Sequence, residues 1–292
     1  MRAKLCRWGR FQHVAGRYGT SMNPLEATDQ TLRSRISGSG HPEIDLNADL
    51  GEGSVARGEA VDAEILPWVS SVNIACGLHA GGPLIAAQTI RLAIAQGVAL
   101  GAHPGWPDRE GFGRRPESHP PQETRAIVAY QLGALAQLAR EAGGRLHHVK
   151  PHGALYHQAC HDPDYALPLV EAIVRFDPAL WLYAPDPSVL VTLARERGLQ
   201  VAAEGFADRR YEGDGTLTPR HHPDALIHDP REALGQVIGI VRDGSVTGRG
   251  GIQVTVSART LCLHGDGPAA VDLARSLAAG LRASGIRIQA PE

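Results

Sequence analysis

From about residue 43 to the C-terminus, short β-type runs alternate with amphipathic helical patterns. This alternation restricts the fold more than any other feature of the 292-residue chain. The runs at 44–49, 71–75, 98–102, 146–150, 180–184, 201–204 and 261–264 read as strands. Helical patterns lie between them. One begins with Pro83 in its first turn, sets Ala87, Ile90 and Ile94 on one face and stops at Gly97. Another runs from Pro121 with Val128, Leu132, Leu135 and Ala139 in register and stops at Gly143-Gly144. The last carries Leu273, Leu277 and Leu281 and ends at Gly285. Parallel strands need crossover connections, so alternating βα units predict a parallel sheet covered by helices. About seven strands suit either a closed barrel or an open doubly wound sheet.

Polar residues decide between these two. In the first strand, Ile44, Leu46 and Ala48 share one face, while Asp45, Asn47 and Asp49 share the other. Both faces of a parallel sheet are normally buried, so a stripe of carboxylates and amide is costly unless it meets partners, water or a ligand. An edge strand with one wet face would permit it. A strand lining the inside of a barrel explains it better, because the other strands repeat the theme at the same end. The second leads to Asn73 and Cys76-Gly77-Leu78-His79, the third to His103-Pro104 and Arg109, and the fourth to His148-Val149-Lys150-Pro151-His152. The sixth ends at Glu204 before Asp208-Arg209-Arg210, and the seventh at His264-Gly265-Asp266-Gly267. Barrel enzymes place their sites where strands hand over to helices.

Composition bounds the chemistry. With 43% apolar and 21% charged residues, the chain is expected to be a globular protein with a sizeable core. A net charge of −2 gives no reason to expect a nucleic acid or anionic membrane as partner. Cys6, Cys76, Cys160 and Cys262 contain no CxxC pair, which suits a reducing cytoplasm and argues against a thiolate zinc site. No apolar run has the length of a membrane span. Residues 1–43 are rich in arginine and end in the breaker run Ser37-Gly38-Ser39-Gly40-His41-Pro42, so they are expected to form a disordered extension ahead of a single catalytic domain at 44–292.

Taken singly, each histidine is as easily a loop cap as a catalytic group, and His147 is expected to face outward. Cys76 reads as a small core residue, since no pattern beside it supplies a base. Neither GxxxxGK[ST] nor a GxGxxG following a strand occurs, so any nucleotide binds atypically or on a partner. Asp49, His79, His103 and His152 come from separate units and could converge on one divalent metal ion.

The runs Ile44-Asp45-Leu46-Asn47-Ala48-Asp49-Leu50-Gly51-Glu52-Gly53, Ser71-Val72-Asn73-Ile74-Ala75-Cys76-Gly77-Leu78-His79-Ala80-Gly81 and Gly101-Ala102-His103-Pro104 resemble the LamB/YcsF family. Pro107-Asp108-Arg109-Glu110, Phe112-Gly113-Arg114, His148-Val149-Lys150-Pro151-His152-Gly153 and Leu263-His264-Gly265-Asp266 do too. So do Phe206-Ala207-Asp208-Arg209-Arg210-Tyr211 and Leu217-Thr218-Pro219-Arg220. The likeness runs from about Ile44 to Ile288.

The resemblance implies an irregular seven-stranded parallel β/α barrel like that of deacetylases and glycoside hydrolases. It also implies the A component of an ATP-dependent 5-oxoprolinase, working with B and C subunits to convert 5-oxo-L-proline into L-glutamate, with ATP bound together with those partners. Such a site needs a base for water, a cation for developing negative charge and an anchor for the substrate carboxylate. Asp49 is expected as the base, its pKa raised by Asp45 and Glu52. Lys150 would neutralise the oxyanion or phosphate, and His79, His103 and His152 would position water and leaving groups. Arg109 or Arg114 would clamp the carboxylate, with Asn47, Asn73 and His264 as further substrate contacts. Two other readings stay open: a metal-dependent amide hydrolase or deacetylase needing no ATP, and a non-catalytic component that binds 5-oxoproline.

Overall fold

The computed structural model describes residues 42–53, 61–264 and 270–292. The expected extension lies outside the described residues except for Pro42 and Glu43, and so do Gly265, Asp266 and Gly267. The strands are β1 (Glu43–Leu50), β2 (Ser71–Ala75), β3 (Ala99–His103), β4 (Leu146–Val149) and β5 (Trp181–Ala184). They continue with β6 (Gln200–Phe206), β7 (Ser245–Thr247), β8 (Gln253–Thr255), β9 (Thr260–His264) and β10 (Arg287–Ile288). The helices are α1 (Pro83–Ala95), α2 (Pro121–Glu141), α3 (Gly153–His161), α4 (Pro163–Phe176), α5 (Val189–Glu196), α6 (Pro230–Asp243) and α7 (Ala270–Ala283).

Seven parallel strands form a closed barrel. The order runs β1-β2-β3-β4-β5-β6-β9, and β9 pairs back onto β1 through Asp45↔Thr260 to Asp49↔His264. β10 pairs with the start of β1 at Glu43↔Arg287, and β7 and β8 form a separate antiparallel ribbon. Neither of these additions was legible in the β-type runs.

The β1 register is the expected one. Ile44, Leu46, Ala48 and Leu50 join the apolar layer between strands and helices. Asp45, Asn47 and Asp49 are buried, and Asn47 reaches Glu204 on β6, a strand that is not its neighbour. Such a contact can only cross the barrel interior. Val128, Leu132, Leu135 and Ala139 of α2 are buried as expected, as are Leu273, Leu277 and Leu281 of α7. The buried face of α1 is turned from the expected one: Ile90 lies at its centre with Ile85, Ala86 and Ala93, while Ala87 and Ile94 are half-buried. Among the described residues no helix is long and apolar enough to cross a membrane.

Candidate active site

At the base of the barrel Asp45 is 1% exposed, and its carboxylate accepts hydrogen bonds from Ser70 at 2.5 Å, Ser71 at 2.7 Å and Thr260 at 2.6 Å. Burial raises its pKa, against the lowering effect of those donors. Asp45, expected among the catalytic residues, does not line the pocket at the barrel mouth.

One layer higher, amides relay the network. Asn47 Nδ2 donates to Thr260 Oγ1 at 2.6 Å and to Glu204 Oε1 at 3.2 Å. Asn73 Nδ2 donates to Asn47 Oδ1 at 2.6 Å and Asp49 Oδ1 at 2.8 Å, and its own Oδ1 accepts from His148 Nε2 at 2.8 Å. The His148 ring lies over β3, where a Cβ on Gly101 would meet His148 Nε2 at 2.0 Å, so only glycine fits there. Asn47 and Asn73 are fully buried and spend their polar atoms on this network. Neither of them, both expected as substrate contacts, lines the pocket.

Lys150 is the hub of the upper layer. Its Nζ lies 2.9 Å from Asp49 Oδ1, 3.1 Å from Glu204 Oε1 and 2.8 Å from Cys262 Sγ. Tyr156 on α3 donates to the other Glu204 oxygen at 2.7 Å. Burial works against the ammonium charge, but Asp49, Cys262 and Glu204 together hold its pKa well above the usual lysine range. Burial likewise works against the Asp49 carboxylate, yet His103 and Lys150 hold it well below its usual range. The expected upward shift from Asp45 and Glu52 is therefore overturned. Asp49 is firmly ionised and a weak base near neutral pH.

Above Asp49 three imidazoles gather around one carboxylate oxygen. Glu52 Oε1 is 3.5 Å from His152 Nδ1, 3.6 Å from His79 Nε2 and 3.9 Å from His103 Nε2. The His79 and His152 rings stack with centroids 3.9 Å apart. His103 Nδ1 donates to Lys150 O at 2.7 Å, and His152 Nε2 donates to Phe112 O at 2.7 Å. Phe112 holds a left-handed φ of 56°, a strained conformation for a non-glycine residue, and so delivers that carbonyl to the ring. With those nitrogens committed, His103 Nε2 and His152 Nδ1 face each other 2.9 Å apart. Two neutral rings would oppose lone pairs there, so a proton or a cation must lie between or beside them. Burial opposes charge on His103, but Asp49, 3.5 Å from its Nε2, raises its pKa. Burial and His103 press the His152 pKa down to about 3.

The group able to hold a metal ion is Glu52, His79, His103 and His152. Glu52 takes the place expected for Asp49. Both ring nitrogens of His79 are buried without a hydrogen-bond partner, which fits a ligand position better than a core histidine. Asp49 converges instead with Cys262 and His264, but there the Lys150 ammonium already supplies the cation, in reach of both Asp49 and Cys262.

A cavity of about 280 Å³ opens on this layer, lined by Asp49, Glu52, His103, Lys150, His152 and His264 among others. Arg114 lines it, whereas Arg109 is exposed and donates to Gly77 O at 2.7 Å and Gly81 O at 2.8 Å. Arg109 thus staples a loop, and the expected carboxylate clamp is not found at that position. His264 does line the pocket, its Nδ1 held by Asp208 at 2.9 Å. Cys76 is half-buried against the core, and burial pushes its thiol up to about 12. His147 is half-buried, with Nε2 against Pro291 O at 2.8 Å near the C-terminus. Glu204, Tyr156, Arg209 and Arg220 were given no role from the sequence. Only the placement of Glu204 on the inward face of its strand could have signalled one.

Comparison with known proteins agrees with this arrangement. The family model of the LamB/YcsF family matches residues 44–292. A protein of Methylococcus capsulatus, named as the A component of 5-oxoprolinase, is 55% identical over 247 residues, which are 85% of this chain and 95% of the relative. One of the same name from Bordetella parapertussis is 50% identical over 250 residues, 86% of this chain and 99% of the relative. The crystal structure of a lactam utilization protein from Thermus thermophilus superposes with a TM-score of 0.81 at 44% identity, covering 85% of this chain and all of that one. A match that spans the whole barrel, including every strand end that feeds the pocket, makes this chain a member of the LamB/YcsF family.

Proposed function

We propose that this chain is the A component of an ATP-dependent 5-oxoprolinase, which opens the lactam of 5-oxo-L-proline to L-glutamate together with B and C subunits. The observation that carries the reading is the buried Asp49–Lys150–Glu204 cluster beneath His103 and His152 at the floor of a small pocket. The relatives named for this activity match nearly the whole barrel.

A five-membered lactam is a stable amide, and transfer of the ATP γ-phosphoryl to its oxygen makes the ring carbon electrophilic. Water adds to that carbon and the C–N bond breaks, the ring nitrogen taking up a proton; the acyl phosphate left on the carbon is then hydrolysed by a second water to the carboxylate and phosphate. Lys150, fixed as a cation, offsets negative charge on the oxygen. The ionised Asp49 orients His103, which in its charged form donates the proton to the leaving nitrogen. Glu52, which lines the pocket, accepts a proton from the attacking water. Glutamate formation from 5-oxoproline and ATP, assayed with this chain alone and then with B and C subunits, tests the reading. Turnover is expected only in the mixture, and its absence there refutes the assignment.

A second reading is favoured by the two unpartnered nitrogens of His79: Glu52, His79, His103 and His152 hold a divalent metal ion. Bound there, the ion would supply Lewis acidity for the amide oxygen and for water. Turnover of a cyclic amide by the metal-loaded chain without ATP would favour this reading over the first.

A further inference from the structure

The pocket has a second electrostatic neighbourhood that the chemistry above leaves unused. Arg209, just beyond β6, lines the pocket yet is only 4% exposed. Its Nη2 donates to Thr218 O at 2.7 Å, while its Nε is buried with no hydrogen-bond partner. Arg220 returns to the same pocket from the loop after β6 and is exposed. Adjacent Asp208 is already engaged, its oxygens accepting from His264 N at 3.1 Å and Nδ1 at 2.9 Å. Neither guanidinium forms an ion pair with a carboxylate among the described residues.

Burial and the charge of Arg220 pull the Arg209 pKa down to about 10. His157 on α3 lines the pocket as well, and burial with the charges of Arg209, His161 and Arg220 lowers its pKa. Positive groups thus crowd one part of the wall, where the Asp208 carboxylate offsets the charges of Arg209 and Arg220 without an ion pair to either among the described residues. A buried guanidinium with an unsatisfied N–H is costly unless something arrives to accept from it. Oxyanions do so best, because the planar fork matches a pair of oxygens.

We propose that Arg209 and Arg220 form an oxyanion subsite in the wall of the pocket, taking the oxygens of a carboxylate or phosphate. On the substrate reading given above, on which this assignment rests, the oxyanion is the α-carboxylate of the lactam. The subsite then does the work expected of Arg109 or Arg114 and sets the ring carbonyl toward Lys150.

Binding to the full chain is measured by calorimetry with 5-oxo-L-proline, with 2-pyrrolidinone (the same ring without the carboxylate) and with inorganic phosphate. Arg220→Gln, at an exposed position, is expected to weaken 5-oxoproline about 10- to 100-fold, the worth of one charged hydrogen bond, while leaving 2-pyrrolidinone unchanged. Arg220→Lys should recover only part of the loss, since it keeps the charge and loses the fork. Phosphate binding with the same dependence on Arg220, and no binding of 5-oxoproline, would uphold the subsite and overturn the lactam reading. Equal 5-oxoproline affinity in the wild type, Arg220→Gln and Arg209→Gln would overturn the subsite while leaving the lactam reading standing. Failure of the wild type to bind either anion would also overturn it.

Discussion

Lys150 Nζ stands 2.9 Å from Asp49 Oδ1 and is only 3.1 Å from a second carboxylate, Glu204. One cation thus satisfies two buried anions. Removing it leaves both carboxylates in a medium that cannot hold two like charges. Lys150→Met should therefore destabilise the barrel by about 3–5 kcal/mol, the usual cost of stranding a buried charge. Urea unfolding of the wild type and variant measures this. A loss below about 1 kcal/mol would mean that the pair is better hydrated than its burial indicates.

Asp49→Asn keeps the size and removes the charge that raises the His103 pKa. Turnover of the reconstituted complex is expected to fall by about 10²–10⁴. The fold should survive, because Lys150 retains Glu204 as counter-ion. If the two residues serve one transition state, Asp49→Asn combined with Lys150→Met will cost far less than the sum of the separate losses. Independent, additive losses in a double-mutant cycle would place them in separate steps.

Tyr156→Phe removes the donor to Glu204 Oε2 without changing shape. A hydrogen bond to a charged acceptor is worth about 1.5–3 kcal/mol, so stability should drop by that amount. Glu204 keeps Asn47 and Lys150, and turnover should fall less than in Lys150→Met. A larger loss of turnover than of stability would assign the phenol to the chemistry itself.

The metal reading separates the two carboxylates at the barrel mouth. After incubation with zinc or manganese and dialysis, elemental analysis should find about one ion per chain if the site is four-coordinate. Glu52→Gln and His79→Ala should abolish retention, and Asp49→Asn should spare it. Loss of metal in Asp49→Asn alone would restore the ligand set expected from the sequence.

His148 gives the fold a pH dependence of its own. Burial first, and then the charges of His147, Lys150 and His103, hold its pKa well below the usual histidine range. The unfolded chain therefore binds a proton near pH 6.5 that the folded state refuses. The stability this contributes is complete above about pH 6.5 and is lost progressively as the pH falls below it, at up to about 1.4 kcal/mol per unit. In His148→Gln that part of the slope should vanish between about pH 7.5 and 5. Denaturation series at both values measure it, and an unchanged slope would mean that His148 is charged in the folded barrel.

The residues show how far a sequence reaches here. Alternation along β1 was enough to turn Asp45, Asn47 and Asp49 inward, because the strand period leaves no other register with Leu46 and Ala48 in the apolar layer. Depth along the barrel was not legible. Asp45 and Asp49 share a face two layers apart, yet one accepts from buried hydroxyls and the other faces the pocket. Long-range return of a loop was not legible either. Arg109 and Arg220 look alike as arginines in polar loops, and only the folded path sends one to backbone carbonyls and the other to the cavity. Glu204 went unassigned because its partners, Asn47, Lys150 and Tyr156, come from three distant segments.

The amide relay through the barrel has a consequence for how such a chain can change over generations. Asn47 serves Thr260 and Glu204, Asn73 serves Asn47, Asp49 and His148, and His148 fits only because residue 101 is glycine. A hydrocarbon core tolerates swaps one at a time, whereas here each single replacement orphans a neighbour sealed from water. Viable intermediates between this interior and a different one are therefore scarce. The inside of the barrel should drift as a block or hardly at all, leaving the helices and outer loops to carry divergence among descendants.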